Sequence, residues 1–130
     1  MSDQLNIEKF KIGNQVVILH LRGTVDQDGA SELRGVCDWL RRQDYVHMII
    51  NASEVTFVAS SGAGALIILS QEFEMLGGSL QMVELSNAAW RVVKALNLDN
   101  ILTIRGTESE AIDSLRAAGL TVHKVGPRVG

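Results

Sequence analysis

After an opening pair of strands, the chain alternates short apolar runs with segments whose apolar residues recur at helical spacing, and that alternation leaves few folds open. Strands separated by helices and joined by short loops must cross over, which calls for a mostly parallel sheet with right-handed connections. The opening pair comprises residues 7–12, short and mixed and read as an edge strand, and the run Val16-Val17-Ile18-Leu19-His20-Leu21, typical of a more buried one. Gly13-Asn14 makes the turn between them. Gly23-Thr24-Val25-Asp26 ends this hairpin, and Asp26 or Asp28 is placed to cap the helix that follows. That helix carries Leu33, Val36, Cys37 and Leu40 on one face and ends near Arg41-Arg42, where positive charge suits the C-terminal dipole.

Residues 46–50 read as the next strand, closed by Asn51, and residues 62–76 as a helix with Leu66, Leu69, Phe73 and Leu76 on its stripe, stopped by Gly77-Gly78. Residues 80–85 follow as a strand, with Ser86 or Asn87 as cap for a helix bearing Ala89, Val92, Val93 and Leu96. A short strand over residues 101–104 precedes Thr107 and Glu110, a capping box for a last helix lined by Ala111, Ile112, Leu115 and Ala118. The expected fold is therefore a single α/β domain over residues 1–120, a mixed, mostly parallel sheet with about four helices in the order β-β-α-β-α-β-α-β-α. Residues 121–130, with weak periodicity, a Pro and two Gly, read as a flexible C-terminal tail.

The formal net charge of -3 argues against a nucleic-acid partner, which would need a clustered basic surface. At 130 residues and 46% apolar composition the chain can close one core, and no apolar run is long enough to span a bilayer, so no membrane partner is expected. Met1-Ser2-Asp3-Gln4 is polar and unlike a signal peptide, and the single cysteine, Cys37, lies on an apolar helix stripe, so a cytoplasmic protein with a buried thiol is expected.

The common catalytic constellations fail one by one. His20, His47 and His123 have no HxxxH spacing, and one cysteine makes no CxxC metal site. His20, in an apolar strand, is read as a satisfied structural histidine. Ser60-Ser61-Gly62-Ala63-Gly64 lacks the Lys of a P-loop, and Ala59 stands where a nucleophile elbow needs Gly. No enzyme, metal or cofactor is expected.

Function concentrates instead at Val55-Thr56-Phe57-Val58-Ala59-Ser60-Ser61-Gly62-Ala63-Gly64, a strand-like run that breaks into two serines and opens a helix. Helix N-termini present amides without intrahelical partners, and the dipole there favours negative charge, so a hydroxyl at this junction is suited to phosphorylation or to an anion. Serine before a helix is also simply a good cap.

The run from Asn51 to Gly64 resembles the signature of STAS domains, particularly bacterial anti-sigma-factor antagonists, in which a strand ends in Asn or Asp and Asp-Ser-Ser/Thr-Gly-Leu-Gly then opens a helix. Leu21-Arg22-Gly23-Thr24-Val25-Asp26 is similar to the family's turn before the first helix. Glu74-Met75-Leu76-Gly77-Gly78-Ser79-Leu80 is similar to its helix end with paired glycines, and Val92-Val93-Lys94-Ala95-Leu96-Asn97-Leu98-Asp99 to its closing segment. The resemblance covers about residues 5–118. It implies partner switching: the antagonist binds an anti-sigma factor that is also a serine kinase, is released when phosphorylated, and is reset by a PP2C-type phosphatase. By position the phosphoacceptor is Ser60, with Ser61 as second choice and as the plainer cap.

Two positions depart from the pattern. Ala59 replaces the family Asp beside the acceptor, and Ala63 replaces Leu. The expected partner surface is the turn Ala59, Ser60, Ser61 and Gly62, rimmed by Thr24, Asp26 and Asp28, whose loop belongs beside it at the carboxyl ends of parallel strands. Ala63 and Ile67 suit a widened buried face or, alternatively, an exposed apolar strip used by the partner. Trp39 and Trp90 suit the core margin. Alternative readings are a constitutive, non-phosphorylated binder, a STAS subunit of a stress-signalling scaffold or lipid-transport ATPase complex, or a nucleotide- or lipid-sensing domain using the same helix terminus.

Overall fold

The computed structural model of the protein describes residues 4–123 and 128–129. Its elements run β1 (Asn6–Lys11), β2 (Val16–Val25), α1 (Gln27–Arg42), β3 (His47–Val58), α2 (Ser60–Met75), β4 (Ser79–Val83), α3 (Asn87–Ala95), β5 (Thr103–Arg105), α4 (Glu108–Ala117) and β6 (Arg128–Val129), with a 3-10 turn at Leu98–Asn100. The strands lie side by side in the order β5-β4-β3-β2-β1-β6. β2, β3, β4 and β5 are mutually parallel, and β1 is antiparallel to both its neighbours. The α/β order expected from the sequence is thus found, with β6 and the 3-10 turn added.

Strand residues alternate between the two faces of the sheet, and each face is covered by different helices. Val17, Leu19, Leu21, Met48, Ile50, Leu80 and Met82 point to one face. There they meet Leu33, Cys37 and Leu40 of α1, Leu66, Leu69 and Phe73 of α2, and Ala89 and Val93 of α3. The opposite face holds Val16, Ile18, Ile49 and Val83 beneath Ala111 and Leu115 of α4, with Ile12 and Val122 completing a smaller cluster.

Three helices begin on the expected side-chain caps. Asp26 accepts from Gly29 N at 2.8 Å, Ser86 from Ala89 N at 3.1 Å and Thr107 from Glu110 N at 3.1 Å. The expected capping box is displaced by one residue, because the Glu110 carboxylate reaches back to Gly106 N at 3.2 Å. Cys37 is buried, and burial first, then Asp38 and Glu72, pushes its thiol up to about 12. Such a thiol carries essentially no thiolate at neutral pH and is inert.

β2 and β3 run further than the sequence suggests. β2 continues through Gly23, held at φ 106, instead of turning there, and β3 passes through Asn51 to Val58. The β2–β3 register shifts between His20 and Arg22 and again between Gly23 and Thr24, so the extra length is accommodated by bulges. Within the expected tail, Val122 bridges Gly13, His123 N donates to Ile12 O at 2.5 Å, and β6 lies along β1. Residues 124–127 and 130 of that tail lie outside the described residues.

Candidate functional site

The last pair in the β2–β3 ladder is Val25 with Val58, and both strands end there in the start of a helix. The Ala59 amide donates to Val25 O at 3.0 Å, which fixes Ala59 as the residue before α2, as Asp26 is the residue before α1. Two helix N-termini therefore rise side by side from the carboxyl ends of adjacent parallel strands, where open α/β sheets place their sites. Gly62 makes this approach close: a Cβ built on it would stand 2.2 Å from Val25 O.

Ser60 and Ser61 are both exposed, and neither hydroxyl has a hydrogen bond among the described residues. Ala59, in extended geometry, is the N-cap and provides no side-chain acceptor, and the first turn holds no acidic residue. The first bond into the helix is Ala63 N to Ala59 O at 3.0 Å, so the amides of Ser60, Ser61 and Gly62 have no intrahelical acceptor. The reading of Ser61 as a plain cap is corrected here: pairing of Ala59 with Val25 starts the helix one residue before the serines, and both lie inside its first turn.

Thr24 and Asp26 are half-buried beside this crest and Asp28 is exposed. Ala63, at 2% exposure, faces the core, and Ile67 is half-buried against it. Of the two readings of Ala63, the buried face is the one found, because α2 turns that position onto the sheet. Phe57 is 55% exposed, which its place in an apolar strand run does not announce. The second register shift falls between its partner Thr24 and Gly23, which turns the Phe57 ring out while Val55 and Val58 stay buried. Ile68 of α2, 41% exposed, and the bare Gly64 continue the surface below the serines.

A cavity of about 180 Å³ beside the crest is lined by Gln4, Leu5, Asp26, Asp28, Gly29 and Glu32. Three carboxylates make it unsuited to the phosphates of a nucleotide. Among the described residues no cluster of His, Cys, Asp or Glu is arranged to hold a metal ion, and no helix is long and apolar enough to cross a membrane. His20 is not simply a core residue: it donates through Nε2 to Glu108 at 2.9 Å and packs its ring against Phe10. Trp39 and Trp90 are more exposed than a core margin would make them, and lie under Lys9 and Lys94 respectively.

The family model for the STAS domain matches residues 9–111. The chain belongs to the STAS-domain family. Among solved STAS-like structures, TM1081 from Thermotoga maritima is 26% identical, with 82% of this chain and 92% of that one covered and a TM-score of 0.71. The anti-sigma factor antagonist SpoIIAA in its unphosphorylated form is 24% identical over 89% of this chain and 97% of that one, TM-score 0.70. An anti-sigma factor antagonist from Mycobacterium paratuberculosis is 19% identical over 89% and 99%, TM-score 0.75. These last two likenesses establish the shared fold.

Within this STAS domain, Ala59 leaves α2 without the side-chain cap that α1, α3 and α4 all have. Ala59→Asp is expected to raise stability by about 1 kcal/mol, the usual effect of an Ala-to-Asp exchange at an N-cap. Urea unfolding at neutral pH measures this, and an unchanged midpoint would mean that the free amides of the first turn are already satisfied.

Proposed function

We propose that this STAS domain is a cytoplasmic anti-sigma-factor antagonist. It binds an anti-sigma factor that is also a serine kinase, and phosphorylation of Ser60 releases it. A PP2C-type phosphatase restores the binding form. The observation that carries this reading is the crest itself, where an exposed, unbonded Ser60 hydroxyl stands at a helix N-terminus with unpaired amides. A phosphate there brings about −1.5 to −2 charges to a position that stabilises negative charge, so the modified domain stays folded. The same charge, buried against a partner surface that packed well when the serine was neutral, opposes binding.

Ala59 favours a second reading, a constitutive binder without phosphorylation, because the residue beside the acceptor carries no carboxylate. Incubation with the cognate kinase and ATP separates the two. Partner switching predicts one added phosphate by mass spectrometry, lost in Ser60→Ala and retained in Ser61→Ala. A kinase that binds the domain tightly and adds no phosphate would establish the constitutive reading instead.

A further inference from the structure

We infer that Asn51 is a positioning residue for Ser60, holding the projecting end of β3 through a tie to Glu108 and His20 on the opposite side of the sheet from α2. Up to Asn51, β3 is paired on both sides, with His20 of β2 and with Val83 of β4. Beyond Asn51 the β4 pairing stops, and residues 54–58 pair with β2 alone, across two shifts of register. A strand paired on one edge, with its ladder locally disrupted by bulges, has fewer backbone bonds to fix where its end lies. Yet it must deliver Ala59 to Val25 O and Ser60 to the crest.

Side chains supply the missing constraint. Asn51 is 5% exposed, and its Oδ1 accepts from Ser53 N at 3.0 Å, inside the first bulge. Its Nδ2 donates to Glu108 Oε2 at 2.6 Å, the same oxygen that receives His20 Nε2 at 2.9 Å. Glu108 is the first residue of α4, on the face away from α1, α2 and α3. Ser86 grips the strand from its open edge, donating from its amide to Ala52 O at 3.1 Å and from its hydroxyl to Val55 O at 2.6 Å. The position needs an amide, since one end must accept the Ser53 N–H while the other donates to a carboxylate. Aspartate has the same shape and fails the second half, because it would set carboxylate against carboxylate in a buried place.

The consequence for phosphorylation rests on the function proposed above, whereas the consequence for β3 does not. The test is a double-mutant cycle of Asn51→Asp and Glu108→Gln, read by amide hydrogen exchange, thermal unfolding and kcat and KM for phosphorylation of Ser60 by the cognate kinase. Asn51→Asp is expected to speed exchange over residues 53–61 selectively, leaving amides of β2 near Val17 protected. It should also lower kcat/KM by about tenfold or more, as displacement of a reacting group does. In the double variant the polarity of the tie is reversed and every bond is kept. The amide nitrogen that takes the place of the shared oxygen at position 108 donates one N–H to the new carboxylate at position 51 and the other to His20 Nε2, which accepts with its ring proton on Nδ1, so exchange and kcat/KM return to near native. Exchange that rises uniformly with falling thermal stability, or a double variant no better than Asn51→Asp, would overturn the inference. If the native chain takes no phosphate, the function proposed above fails, and the exchange pattern alone decides the role of Asn51.

Discussion

Ser60→Asp is expected to weaken binding of the anti-sigma factor kinase by about a hundredfold or more, while the unfolding temperature stays level or rises slightly. The magnitude follows from placing one unpaired charge in a desolvated contact, which costs about 3 kcal/mol, equivalent to roughly two orders of magnitude in Kd. The flanking groups add to this penalty. Asp26, Asp28 and Glu32 already make the neighbouring cavity negative, so the introduced carboxylate gains no cation from its own chain there. Stability should not suffer, since an acid in the first turn of α2 complements the dipole and no side-chain bond of Ser60 is lost. Titration calorimetry with purified kinase, beside thermal unfolding of both proteins, measures the two effects separately. Equal affinity for both forms would remove Ser60 from the contact surface and end the switch reading.

The second large effect comes from the two glycines of the same turn, which should respond in opposite directions to the same substitution. A Cβ on Gly62 would meet Val25 O at 2.2 Å and Val25 Cγ1 at 2.8 Å, so backbone at the end of β2 or the start of α2 must move. Overpacking of this kind costs about 3 kcal/mol, a large share of the stability of a small domain. A Cβ on Gly64 meets nothing within 4 Å, and its backbone is helical. Gly64→Ala is therefore expected to stabilise by about 0.5–1 kcal/mol, the helix-propensity difference between the two residues. Denaturant midpoints for the pair provide an internal control, and destabilisation by both would mean that the turn resists any side chain. If Gly64→Ala also weakens kinase binding while raising stability, the bare surface at Gly64 is kept open for close approach of the partner.

Much of this architecture could be read from local pattern, and what could not shares one physical cause. Leu33, Cys37 and Leu40 fall at helical spacing and are buried, and Asp26, Ser86 and Thr107 cap the helices they precede, because both signals operate within a few residues. Asn51 reads as a strand end, since its amide usually competes with strand pairing. Here that amide is satisfied by Glu108, far along the chain, and the strand continues. Ser61 reads as a cap for the same local reason. The start of α2 is instead fixed by the bond from Ala59 to Val25, a contact between strands that no neighbouring residue announces. Phe57 is exposed through a register shift, a consequence of packing.

The arrangement of the sheet's rims carries one more consequence. β1, on the antiparallel side, is flanked at Lys9 and Phe10 by the short β6 from the C-terminal region, and the opposite rim is β5, only three residues long. Open strand rims are where folded chains zip together into aggregates, and short or occupied rims suppress that. For the partner exchange proposed above, short or partly occupied rims keep self-association from competing with the crest where β2 and β3 end.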